Sequence, residues 1–259
     1  MCAVRLTFAA ERIEPAPADL DGVGLTAKLD AEIPLGLEFT DEDGTPVRLS
    51  DYFEKGRPVV LTLNYYRCPM LCTLVLNGLV AGLRDVELEA AKDYQIVTVT
   101  IDPREKPDLA KAKKASYLES FNRPFPAEGW HFLTGGAEPI EALAAAAGFG
   151  YRYVEADDQY AHPAAIYVLT PEGRISRVLT GVEFHPKTLR LALVEASSGK
   201  IGSAIDQILL YCYHYDAERG RYAPAAVKIM RLGGAVTVLA LGLMLATFWV
   251  RENRRRRTT

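Results

Sequence analysis

The sequence predicts an α/β fold, with a mixed central sheet and flanking helices, followed by a C-terminal transmembrane helix. Three observations carry this. Strand-like and helix-like segments alternate before an antiparallel pair closes the pattern. Two cysteines, Cys68 and Cys72, sit where the first apolar run opens onto a helix. From Leu232 to Val250 no residue is charged.

After a Pro-containing, acidic leader to about Asp30, Leu35 to Leu49 has short apolar stretches broken by Asp41-Glu42-Asp43-Gly44, which reads as a hairpin. Val59 to Tyr65 reads as a buried strand. The cysteine helix follows, with Leu74, Leu76, Leu79 and Leu83 along it. Gln95 to Ile101, rich in Val, Ile and Thr, is a second central strand that ends at Asp102-Pro103, and Asp108 to Ser120 is a helix. Pro139 to Ala147 is helical in composition and stops at Gly148. Ala164 to Leu169 and Ile175 to Leu179 flank Pro171-Glu172-Gly173-Arg174 as a second hairpin, and Pro186 to Ser197 is the last helix. The order βαβα then ββα is the thioredoxin arrangement, so the fold class is thioredoxin-like.

The uncharged C-terminal stretch of about 19 residues is long enough to span a hydrocarbon core as a helix. Trp249 stands at its edge, and Arg251, Arg254, Arg255, Arg256 and Arg257 follow. The basic tail favours a cytoplasmic C-terminus, which puts the globular part on the periplasmic side of the inner membrane. The expected division is a leader (1–30), a thioredoxin-like domain (31–200), a juxtamembrane segment (201–228), a transmembrane helix (229–250) and a basic tail (251–259). Met1 to Ala10 holds no apolar stretch of export-signal length, at odds with that topology.

A hydrophobic content of 49% is enough for a sizeable core, and a net charge of −3 with dispersed basic residues gives no reason to expect a nucleic-acid partner. The four cysteines, at 2, 68, 72 and 212, are too scattered for a disulfide-stapled scaffold. One close pair points to redox or metal use. On a helix, positions i and i+4 share a face, so both sulfurs are expected to project together from the first turn. The free N–H groups there raise the thiolate fraction. Such a pair can chelate a soft metal or close a disulfide.

Three separated pieces then combine. Tyr65-Tyr66-Arg67-Cys68-Pro69-Met70-Leu71-Cys72, Thr100-Ile101-Asp102-Pro103-Arg104, and Tyr160-Ala161-His162 ahead of Ile166-Tyr167-Val168-Leu169 resemble the Sco/SenC family over roughly Pro34 to Ala196. The resemblance implies a membrane-tethered, thioredoxin-fold copper protein that helps to assemble the binuclear copper centre of cytochrome c oxidase subunit II. Its further partners would be other copper carriers or thiol reductants. Carried over by position, the implied copper ligands are Cys68, Cys72 and His162. Two thiolates and one imidazole suit Cu(I) and can also hold Cu(II), whereas zinc would normally want a fourth ligand. Pro163 departs from the small or hydroxyl residue more usual after the histidine.

Asp102, next to Pro103, reads first as a helix cap, with a role beside the copper as the alternative. Cys212 and His214 in Tyr211-Cys212-Tyr213-His214-Tyr215 share a face in an extended chain. They read as an accessory soft-metal site or relay, or as part of a segment packed by its tyrosines. His131 and His185 are assigned nothing. The leading function is a copper metallochaperone. The same sulfurs would also serve a thiol-disulfide oxidoreductase with Cys68 and Cys72 as its redox pair, but the spacing is one residue longer than the CxxC of thioredoxins. A peroxiredoxin-type peroxidase fits least, because Tyr65, Tyr66 and Arg67 occupy the approach to the first cysteine.

Overall fold

The computed structural model describes residues 22–26, 29–53, 56–122 and 124–201, with isolated helical positions at 234, 237, 241, 242, 244 and 249. The chain begins with a two-residue strand, β1 (Gly24–Leu25), and a hairpin of β2 (Glu38–Thr40) and β3 (Pro46–Arg48) across the expected acidic turn. Then come β4 (Val59–Asn64), α1 (Leu71–Arg84), β5 (Gln95–Thr100), α2 (Pro107–Ser120), β6 (Trp130–Leu133) and α3 (Ala137–Ala147). A short β7 (Phe149–Gly150) pairs with β1, and β8 (Arg152–Val154) turns back onto β9 (Gln159–Ala161). The hairpin of β10 (Ala165–Leu169) and β11 (Ile175–Thr180) and the helix α4 (Pro186–Ser197) complete the described domain.

The central sheet has the order β11-β10-β4-β5-β6. Strands β4, β5 and β6 run parallel, and β10 is antiparallel to both β4 and β11. Every residue of β4 and β5 is buried, as expected of parallel strands covered on both faces. One face packs α1, α2 and α4 through Leu79, Leu83, Tyr117, Leu189 and Leu193. The other packs α3 and the β2–β3 hairpin through Phe39, Ile140 and Leu143, and the two cysteines belong to this second layer. Inside the sheet, Thr98 Oγ1 lies 2.9 Å from both Thr62 Oγ1 and Trp130 Nε1, which ties β4, β5 and β6 together through side chains.

Helix ends follow local chemistry. Pro107 and Pro186 open α2 and α4 at a position where a missing N–H costs nothing, and α3 stops at Gly148, whose φ of 63° is left-handed. Helix α1 needs glycine where the β11–α4 connection crosses it. A Cβ on Gly78 would lie 1.8 Å from Val182 O, and one on Gly82 would lie 2.3 Å from Phe184 O.

The thioredoxin-like α/β core is therefore as expected, with additions beyond the short β1–β7 pair. Strand β6 supplies a third parallel strand that the sequence reading left out, and the β8–β9 hairpin fills a stretch it left unassigned. The expected C-terminal transmembrane helix is corrected. No helix among the described residues is long and apolar enough to cross a membrane. The longest named ones, α1 and α2, have 14 residues, or about 21 Å, against a hydrocarbon core of about 30 Å. The inner-membrane, periplasm-facing localisation rested on that helix and falls with it. Most of 229–250, together with 202–228 and 251–259, lies outside the described residues.

Candidate metal centre

Strand β4 ends at Asn64, and the chain turns through Tyr65–Met70 before α1 begins at Leu71. In this turn the Cys68 N–H donates to Tyr65 O at 3.2 Å, folding the first sulfur back toward the helix. Cys72 lies in the first turn of α1, and its N–H donates to Cys68 Sγ at 3.3 Å. The Tyr65 N–H approaches Cys72 Sγ at 3.4 Å. The expected shared helical face is thus corrected. Cys68 precedes the helix, and its sulfur sits over a free N-terminal N–H instead of one turn below Cys72. The benefit to the thiolate is the one anticipated, by a different geometry.

His162 arrives from the end of β9. Its Nε2 lies 3.0 Å from Cys72 Sγ, and its Nδ1 lies 3.0 Å from Pro163 O. A carbonyl oxygen only accepts, so the proton belongs on Nδ1 and the Nε2 lone pair faces the sulfurs. A metal-binding imidazole needs this tautomer. Pro163, the departure noted above, disfavours helical backbone at His162 and supplies the orienting carbonyl. The Tyr65 ring meets the imidazole edge-on at 5.9 Å between centroids, and Phe149 lies against it at the same separation.

The donor atoms of Cys68, Cys72 and His162 all lie within 4.8 Å of one another, and all three residues are buried. The thiols are unequal. The hydrogen bond from Cys72 first, then those from the N–H groups of Cys72 and Met70, hold Cys68 well below the usual thiol range against the effect of burial. Burial pushes Cys72 up, and its hydrogen bond with Cys68 and that residue's charge add to the rise. Without metal, the pair holds one thiolate and one thiol. Two soft sulfurs and one imidazole nitrogen at this separation fit a low-coordinate copper ion.

Asp102 is not a helix cap, because Lys106 occupies that position for α2. Its carboxylate instead accepts the Arg104 N–H at 2.9 Å and pairs with the Arg104 guanidinium. Cys212 and His214 lie outside the described residues. Sequence reading missed Glu105. This buried carboxylate accepts the Tyr66 and Arg67 N–H groups, each at 2.8 Å, and the Thr100 hydroxyl at 2.5 Å. The available signal was an acidic residue between Pro103 and Pro107, one position ahead of the residue that caps α2.

These features define a class: a thioredoxin-fold protein with a Cys-Cys-His group for a soft metal at its first strand-to-helix junction. Residues 28–196 match the SCO1/SenC family model, and the chain belongs to that family. It is 28% identical over 151 residues to a SCO1 protein homolog of Bacillus subtilis (strain 168), covering 57% of this chain and 74% of that one. It resembles Arabidopsis thaliana ScoI with copper bound at a TM-score of 0.50 and 21% identity, over 64% of this chain and 99% of that one. BsSco, a member of the Sco family of cytochrome c oxidase assembly proteins in which a disulfide switch was identified, gives a TM-score of 0.50 at 23% identity. That match covers 69% of this chain and 98% of BsSco. At these identities the two structural likenesses show the fold.

Proposed function

We propose that this protein is a copper metallochaperone, and that its domain, residues 31–200, carries copper to the binuclear centre of cytochrome c oxidase subunit II. The observation that carries this reading is the convergence of Cys68, Cys72 and His162 with the imidazole lone pair already facing the sulfurs. Relatives described as copper-bound or as oxidase assembly proteins support it. Copper is cargo in this scheme. Cys68, already a thiolate, captures the ion; Cys72 loses its proton as its sulfur binds, and His162 completes the set. Incoming thiolates of the partner then displace the three donors one at a time, so the ion is never released to water.

The inequality of the two thiols favours a second reading, a thiol-disulfide oxidoreductase acting on the same partner. The Cys68 thiolate attacks a partner disulfide and one partner thiolate leaves. Cys72 then loses its proton and attacks Cys68, which frees the second partner thiolate. The partner gains two electrons and this chain ends as the Cys68–Cys72 disulfide. Mixing Cu(I)-loaded chain with a metal-free soluble fragment of subunit II separates the readings. Copper moving to a reduced fragment while Cys68 and Cys72 stay reduced supports the chaperone. Reduction of an oxidised fragment by metal-free chain, with no copper movement in the first assay, supports the reductase.

A further inference from the structure

The two arms of the metal centre come from separate parts of the chain, and one short segment touches both. The β8–β9 hairpin, which ends one residue before His162, forms a two-stranded sheet of its own with no ladder to the central sheet. Side chains must therefore locate it. Arg104 provides one polar link. Its Nε lies 2.8 Å and 3.1 Å from the two oxygens of Asp102, and its Nη2 lies 2.9 Å from Asp102 Oδ2. Asp102 is only 2% exposed, so this end of the guanidinium is fixed in a fork against a buried carboxylate.

The other end reaches the hairpin. Arg104 Nη1 donates to Asp158 Oδ1 at 3.1 Å and to the Tyr153 hydroxyl at 3.3 Å, and Tyr153 donates to the same Asp158 oxygen at 2.6 Å. The guanidinium carbon lies 4.8 Å from the centre of the Tyr153 ring. Tyr160 donates to Asp102 Oδ1 at 3.4 Å, and its ring packs on Tyr65 of the cysteine turn. One residue further on, Glu105 holds the N–H groups of Tyr66 and Arg67, just ahead of Cys68.

We propose that Asp102–Glu105 is a common anchor for the metal centre, in which Arg104 positions the histidine arm and Glu105 positions the cysteine arm. Neither side chain touches the metal. Their effects are separable, because their contacts run to different arms. The ligand assignment above enters only through the metal readout.

The test uses the full chain and its Arg104→Met, Asp158→Asn and Glu105→Gln variants. In metal-free protein, nuclear magnetic resonance follows the His162 ring nitrogens and the Tyr66 and Arg67 amides. Arg104→Met and, less strongly, Asp158→Asn should broaden or shift the His162 signals and leave the two amides in place. Glu105→Gln keeps one acceptor oxygen but turns a donor toward the other N–H, so it should disturb the amides and spare His162. With added Cu(II), Arg104→Met should weaken binding about tenfold and reduce imidazole nitrogen coupling in the electron spin resonance spectrum, while Cu(I) affinity moves less than about threefold. Unchanged His162 signals in Arg104→Met, or equal disturbance of both arms by either substitution, would overturn the anchor. If the unsubstituted chain binds neither ion, the copper reading fails and the metal-free spectra still decide the anchor.

Discussion

Cys72 Sγ stands 3.0 Å from His162 Nε2, across 90 positions of sequence. Each side of this contact is prepared without metal. Pro163 O accepts the hydrogen bond of the imidazole Nδ1–H, and the thiolate is concentrated on the neighbouring Cys68. Capture therefore requires the loss of one thiol proton, that of Cys72.

Ultraviolet thiolate absorbance of the metal-free, reduced protein should rise in two well-separated steps with pH. The lowered group, Cys68, is already ionised through neutral pH. The raised group, Cys72, ionises above the ordinary thiol range. A single step at an ordinary thiol pH would contradict the arrangement.

Acid stability should depend on Glu42. Burial alone would raise this carboxyl, but hydrogen bonds from His131 and Lys114 and from the Phe132 N–H hold it at about 2. The folded value lies below the ordinary glutamate value of 4.5, so its stabilisation is complete above that pH and is lost as the pH falls toward 2. For so buried a group the effect is on the order of 3 kcal/mol. Glu42→Gln should flatten the acid limb of stability measured by denaturant titration, and an unchanged limb would remove Glu42 as its cause.

Gly78→Ala should destabilise the fold although alanine favours helices. The added Cβ meets the backbone carbonyl of Val182, which cannot rotate away as a side chain could. A loss of about 2 kcal/mol, seen as a lower thermal midpoint, is expected. A stabilised variant would show that α1 and the β11–α4 connection are not in this contact.

The parts of this account legible in the sequence are those set by short-range pattern. The continuous apolar runs of β4 and β5 and the proline and glycine ends of α2, α3 and α4 all carry local signals. The three candidate ligands were legible through motif resemblance. Strand β6 was not, because Trp-His-Phe-Leu is only four residues long and its pairing with β5 is non-local. The β8–β9 hairpin is held by Arg104, whose aspartate, tyrosine and aromatic contacts come from up to 56 positions away. Glu42 looked like a turn residue because its partners, Lys114, His131 and Phe132, lie in α2 and β6. Spacing alone does not distinguish a helical turn from the tight turn before it, so from sequence Cys68 reads as part of the helix that starts at Leu71.

Copper binding by Cys68, Cys72 and His162 is decided by anaerobic titration of the reduced protein with Cu(I) against a competing chelator, repeated with Cys68→Ala, Cys72→Ala and His162→Ala. One tight equivalent is expected, abolished by either cysteine substitution and weakened by the histidine substitution. Weak binding indifferent to all three changes would contradict it.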